Sequence, residues 1–161
     1  PIYASMKNNH FQGSHSGYKH LGVSVERQIK LTDGKMLEVS DRTIGSKPHR
    51  VEVPFHFVPN AVLNESSPGF WEISVEKKKF QLINLSSSPS RLEKGWFSES
   101  YGVMVPRPTL IFSRDSQFME QNDRHTFDLD IVILMRNQTK ADYEISEKKL
   151  SDLIDKKILG E

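Results

Sequence analysis

The sequence predicts an all-β fold, an antiparallel β-sandwich closed by a short C-terminal α-helix. Three observations carry that expectation. Short segments alternate apolar and polar residues with a period of two; polar turns separate them in place of helical crossovers; and helical spacing begins only after Ser146. The chain has 161 residues, enough for one domain with its own core, and its 36% hydrophobic and 27% charged fractions are those of an ordinary globular protein.

The first clear element spans residues 21–31, where Leu21, Val23, Val25, Ile29 and Leu31 share one face and Gly22, Ser24, Glu26, Gln28 and Lys30 the other. Thr32-Asp33-Gly34-Lys35 reads as a hairpin turn, after which Leu37 and Val39 resume the apolar register. Residues 49–58 alternate again, with Val51, Val53, Phe55 and Phe57 inward, and Pro54 on the polar face marks an edge strand or a bulge. Trp71, Ile73 and Val75 lead through Glu76-Lys77-Lys78 to Phe80 and Leu82 as a further hairpin, and Ser86-Ser87-Ser88-Pro89-Ser90 reads as a loop. Segments 101–105, 109–113 and 126–135 complete the set. The last is the most apolar: Phe127, Leu129, Ile131, Ile133 and Met135 occupy one face, Val132 and Leu134 the other, which places it centrally with both faces covered. Leu150, Leu153, Ile154 and Ile158 then recur at helical spacing. The chain divides into a sandwich domain over 1–140 and an amphipathic helix over 141–161, packed on the sandwich or on a partner.

Arg27 breaks the apolar register of its strand, where an unpaired guanidinium is costly. Pairing apolar face to apolar face across the Asp33-Gly34-Lys35 loop sets Leu31 opposite Leu37, Ile29 opposite Val39 and Arg27 opposite Asp41. The register therefore predicts a structural Arg27–Asp41 ion pair, architectural rather than catalytic.

Charge and composition exclude several classes. Lys+Arg 22 against Asp+Glu 21 gives a net charge of +1, so no overall field calls for nucleic acid. No apolar run approaches the roughly 20 residues of a spanning helix, and the paired lysines of the tail are balanced by acids, so no membrane partner is expected. With no cysteine there is neither a disulfide framework nor a thiolate metal site. The chain opens at Pro1 with no initiating Met, and it reads as a piece of a larger polypeptide.

Chemistry-bearing residues are sparse. His10, His15 and His20 fall at intervals of five, and His49 and His56 at seven, spacings that do not gather ligands on one helical face. Asp128 and Asp130 sit two apart on one strand face, where outward, solvated carboxylates are the simpler account. No nucleophile-elbow or phosphate-loop pattern occurs. No catalytic residue and no metal ligand is assigned. The one binding idea with chemical content is a carbohydrate patch: Trp71, Trp96 and Tyr101 offer flat faces to sugar rings, while Arg91, Lys94 and Arg107 match carboxylates or sulfates. Arg91, Lys94, Trp96, Tyr101 and Arg107 are the candidate substrate-binding residues.

The spaced residues His15-Ser16-Gly17-Tyr18, Arg27, Asp41-Arg42-Thr43-Ile44-Gly45, His56-Phe57-Val58-Pro59 and Ser98-Glu99-Ser100-Tyr101-Gly102 resemble the late β-sheet region of the heparinase II/III-like polysaccharide lyases. The resemblance covers about residues 11–135. It implies a parent enzyme that cleaves uronic-acid-containing polysaccharides by β-elimination, with an N-terminal α-helical toroid joined to a layered β-sheet supersandwich. The family's catalytic Tyr, His and Asn and its metal-binding His and Asp lie upstream of the matched portion, so this fragment is expected to be non-catalytic and to support the substrate cleft. The implied partners are an acidic polysaccharide, reached through the parent, and the missing toroid; a homo-oligomer stays open. No cofactor is expected in the fragment, while a metal ion such as zinc stays open for the parent. The compartment is undetermined: periplasmic or secreted for a bacterial parent lyase, with the cytoplasm still open. The alternatives are an independent carbohydrate-binding module for anionic glycans, or a structural, oligomerising domain.

Overall fold

A computed structural model describes residues 3–86 and 88–136, together with 151, 152 and 155 of the C-terminal segment. Among the described residues the strands form two antiparallel sheets, in agreement with the all-β sandwich. The large sheet runs in the order β1 (Tyr3–Lys7), β2 (His10–His15), β3 (Val23–Thr32), β4 (Met36–Gly45), β12 (Arg124–Arg136), β8 (Lys78–Asn84), β7 (Phe70–Val75) and β6 (Val62–Ser67), with β11 (Gln117–Met119) added to one end of β12. The small sheet comprises β5 (Arg50–His56), β10 (Val105–Asp115) and β9 (Ser90–Phe97), in the order β5, β10, β9.

The period-two pattern decides which faces meet. Val39, Leu82, Phe127, Leu129, Ile131, Trp71 and Ile73 of the large sheet bury against Val53, Leu110 and Phe112 of the small one. Phe112 and Phe127 are fully enclosed, and burial of each such side chain contributes about 1.5–3 kcal/mol. The most apolar segment does lie centrally, since β12 is bonded to β4 on one side and β8 on the other. Its second face carries Val132 and Leu134, which form a smaller buried cluster with Met36 and Ile83 on the outside of the large sheet.

The β3–β4 hairpin has Leu31 opposite Leu37, Ile29 opposite Val39 and Arg27 opposite Asp41, with left-handed Asp33 and Gly34 in its loop. Pro54 lies on β5, the edge of the small sheet, where a missing N–H breaks no ladder bond.

Several expectations need correction. Leu21 lies not in a strand but in a 3-10 turn, Lys19–Leu21, which Gly22 terminates with a left-handed φ of 71°. Residues 101–104 form a turn in which the Val103 N–H donates to Ser100 O at 3.1 Å, and the 109–113 segment belongs to a longer strand that starts at Val105. Ser90, placed in a loop by its serine-rich context, begins β9. Trp71 is core rather than a sugar-facing ring: it is buried, and its indole N–H donates to Ser90 Oγ at 3.3 Å. Strands β1, β2, β6, β9 and β11 carry too little apolar alternation to be read beforehand, and every residue of β1 is exposed. Of the predicted tail helix, Ser151, Asp152 and Asp155 have helical backbone; the rest of 141–161 lies outside the described residues.

Candidate functional groove

The two sheets differ in width, and the difference creates the site. The small sheet ends at β5, while the large one continues through β3, β2 and β1. Beside β5 the inner faces of these strands remain open, forming a groove of about 590 Å³. Its floor carries Ala4, Phe11, Val23, Val25 and Thr43, its wall is β5 from Arg50 to Pro54, and His15, Tyr18, Leu21 and His49 stand around one end. The lining is largely apolar, with polar groups confined to a few positions.

On the floor, Arg27 Nε donates to Asp41 Oδ1 at 2.5 Å and Nη2 donates to Oδ2 at 2.7 Å, a bidentate pair. Asp41 is almost sealed from water, with 5% of its side chain exposed, whereas Arg27 keeps 42%. The guanidinium also lies 5.9 Å from the Phe55 ring centroid, so the pair ties the large sheet to the wall strand. The hydrogen bond to Asp41 raises the Arg27 pKa above its ordinary value, outweighing the opposing effect of burial. A guanidinium committed in this way is a brace, with little charge left for a ligand.

The histidines are dispersed. His15 Nδ1 accepts from the Gly17 N–H at 3.2 Å, and its ring meets that of Tyr18 at 5.6 Å. His56 Nδ1 lies 3.1 Å from Thr109 Oγ1 on the outer face of the small sheet. The backbone of His49 is tied to Ser116 in both directions, through its N–H and its carbonyl, at 2.9 and 2.8 Å. Among the described residues no three His, Asp or Glu side chains converge as a metal site would require. Asp128 is bound to Arg42 Nε at 2.6 Å, and Asp130 accepts from Ser40 Oγ at 2.5 Å, so both carboxylates serve the outer face of the large sheet.

The five candidate sugar-binding residues do not converge on one surface. Lys94 and Trp96 share a face of β9, with Lys94 Nζ 5.5 Å from the indole and Trp96 55% exposed. Arg91 and Arg107 point the other way. Arg91 is held by Glu93 at 2.6 Å and Glu52 at 3.1 Å, and Arg107 lies against the Phe97 ring. Tyr101 projects alone from the turn before β10, fully exposed. The groove, by contrast, was not anticipated: its residues carry no local motif for a pocket, and it exists only because two sheets of unequal width are stacked. The Ser-Gly-Tyr signal at 16–18 marked one end of it without revealing the cavity.

With this geometry established, the likeness to known proteins is informative. The family described as "Heparinase II/III-like, C-terminal" matches residues 3–144. The solved structure of the heparan sulfate lyase HepC from Pedobacter heparinus aligns with a TM-score of 0.66 at 15% identity, over 86% of this chain and 22% of that one. A structure of heparinase III aligns with a TM-score of 0.68 at 12% identity, over 88% of this chain and 22% of that one. At such identities the likeness is one of fold. The chain spans about a fifth of the length of the structures it matches. No curated protein matches it in sequence.

Proposed function

We propose that this chain, which belongs to the heparinase II/III-like C-terminal family, is the β-sheet portion of a polysaccharide lyase acting on acidic, uronate-containing chains. Within such an enzyme it is non-catalytic and supports a substrate cleft completed by a helical toroid. The observation that carries this reading is the groove, where a sheet face left uncovered by the described residues lies beside an edge of β5 that pairs with no described strand. Such a surface suits the seating of another layer of polypeptide.

The side chains present favour support over chemistry. β-Elimination needs a base at the proton α to the uronate carboxylate and a cation or donor to hold the charge that develops. Of the two arginines that line the groove, Arg27 is neutralised by Asp41 on the floor and Arg50 on the wall lies 3.8 Å from the carboxylates of Glu52 and Asp115. What the chain supplies is rigidity, through paired strands, the Arg27–Asp41 brace and the enclosed aromatic core.

A second reading rests on Lys94 and Trp96. An exposed indole beside an ammonium is suited to stacking a sugar ring while meeting its carboxylate or sulfate. This would make the chain an independent module for anionic glycans.

Three measurements separate these readings. The full-length polypeptide that contains this chain is expected to release unsaturated uronate, seen as ultraviolet absorbance, from heparan-type or other acidic polysaccharides; inactivity on all of them overturns the lyase assignment. The isolated chain is expected to release none, and turnover by it alone overturns the supporting role. Salt-sensitive binding of heparan-type oligosaccharides by the isolated chain, abolished by Trp96→Ala and absent for neutral sugars, favours the module.

A further inference from the structure

The free edge of β5 and the Arg27–Asp41 brace meet in the groove, and together they specify what seats there. β5 bonds to β10 through its odd-numbered residues, so the N–H and C=O groups of Arg50 and Glu52 leave the small sheet on the groove side, where no described strand pairs with them. Two residues further on, Pro54 presents a carbonyl to the same edge but no hydrogen. Arg27 lies close to that gap. Its guanidinium is 5.9 Å from the ring of Phe55, the neighbour of Pro54, and Arg27 and Pro54 both line the groove. Nε and Nη2 donate to Asp41, while Nη1 makes no hydrogen bond among the described residues and the side chain is 42% exposed. The pair therefore has no net charge to offer, but it keeps N–H hydrogens for an acceptor in the groove. Beside it the floor is low: Gly13 stands opposite Arg27 on β2 with the Phe11 ring laid over it, and Ala4 stands opposite Gly13 on β1.

We propose that the groove receives a short extended polypeptide segment without charged side chains, which joins the small sheet by pairing with Arg50 and Glu52. Its next carbonyl, left without a donor at Pro54, accepts from Arg27 Nη1. The inference rests on the reading of this chain as one portion of a larger lyase, and it names the chemistry of the segment that the rest of that polypeptide supplies. The chain spans about a fifth of the length of the structures it matches, which leaves ample polypeptide for that part. Charge complementarity excludes an ionic segment. Arg27 is matched by Asp41, Arg50 lies 3.8 Å from Glu52 and Asp115, and Glu52 is held by Arg91 at 3.1 Å, so a further charge over the apolar floor would be desolvated without a free partner. Apolar side chains of the segment close instead over Phe11, Val23 and Val25. The arrangement is selective. Pro54 turns away a strand that pairs by its edge alone, and the replacement donor serves only a segment that lies down over the floor.

The test is residue-level amide hydrogen exchange in two proteins, this chain alone and the full-length polypeptide that contains it. In the chain alone the Arg50 and Glu52 amides should exchange near their intrinsic rates, and in the full-length polypeptide both should slow by at least about a hundredfold. Fast exchange in both proteins overturns the proposal. Slow exchange in the chain alone also overturns it, because its own remaining residues or a second copy would then close the edge. So does protection of the chain alone by a heparan-type oligosaccharide, which would give the groove to a sugar. The donor is tested by Arg27→Met with Asp41→Leu in the full-length polypeptide, which removes both halves of the pair and strands neither. Protection at Glu52 should fall about tenfold while that of Leu129, fully buried in β12, is unchanged; undiminished protection at Glu52 overturns the role of Arg27. Exchange is read without turnover, so this proposal can fail while the lyase assignment stands, and an inactive polypeptide can still show the protection.

Discussion

Arg27 and Asp41 stand directly opposite each other on β3 and β4, and the guanidinium donates two hydrogen bonds to the carboxylate across the strand pair. Their surroundings are unequal, because the carboxylate is enclosed while the guanidinium reaches into the open groove. That inequality makes the two ends of one ion pair energetically different.

Arg27→Met strands a buried carboxylate and should cost about 3 kcal/mol, near the lower end of measured losses for a broken buried pair. Asp41→Leu leaves a guanidinium that water can solvate from the groove side, and should cost about 1–2 kcal/mol. Urea denaturation of both variants checks this. Equal losses, or a larger loss from Asp41→Leu, would show that the exposed side of Arg27 does not relieve it.

Glu26 gives the molecule an acid-sensitive seam. It accepts hydrogen bonds from Gln28 at 2.9 Å and Gln12 at 2.8 Å, which hold its pKa below the ordinary 4.5, so β2 is fastened to β3 through a carboxylate. A carboxyl group with a depressed folded pKa stabilises the fold above its unfolded value, and that contribution disappears as pH falls through the folded one. Amide exchange in β2 should therefore accelerate, relative to the β12 core, as pH drops below about 4.5, after correction for intrinsic rates. Glu26→Gln should flatten the difference. An unchanged profile in that variant would locate the acid response elsewhere.

Gly95 is held to glycine by one neighbour. A Cβ built on it runs into the Thr109 side-chain oxygen, and Thr109 is buried beside His56. Gly95→Ala should cost about 1–3 kcal/mol through overpacking. Thr109→Ala in the same chain should recover most of that loss despite removing the contact with His56. Thermal unfolding of the two single variants and the double variant reads the coupling directly, and strict additivity would remove the explanation.

How much of this was legible beforehand follows from the range of each interaction. The β3–β4 register and the central place of β12 follow from alternation within a few residues and can be read in one dimension, whereas the proline at 54 narrowed its strand only to an edge or a bulge, and the structure puts it at the edge. Trp71 shows the limit. An aromatic with a polar handle looks the same in sequence whether it faces a sugar or the core, and only the packing of β7 over β9 decided for the core. β1 and β9 escaped notice because edge strands carry little apolar content, their stability coming from a single neighbouring ladder. The groove is further still from the sequence, since it depends on where one sheet ends relative to another. The separation of Lys94 and Trp96 from Arg91 and Arg107 is plain strand alternation, visible once residues 90–97 are known to be a strand.

Pro54 guards the groove wall. The ladder bonds of β5 use its odd-numbered residues: the Phe57 N–H donates to Pro108 O at 3.1 Å and the His49 carbonyl accepts from the Ser116 N–H at 2.8 Å, in register with Val51, Val53 and Phe55. The backbone groups of Arg50, Glu52, Pro54 and His56 therefore point toward the free edge, and at Pro54 that edge has no hydrogen to donate. A proline at this place, with charged residues before it, discourages a stray strand from pairing there. Pro54→Val restores the donor and raises strand propensity while the inward face of β5 is untouched. The isolated variant should self-associate in a concentration-dependent way by light scattering, with little loss of unfolding stability, where the parent chain stays at one mass. If the variant keeps the parent's mass over the same range, the free edge of β5 is closed by something other than the missing N–H.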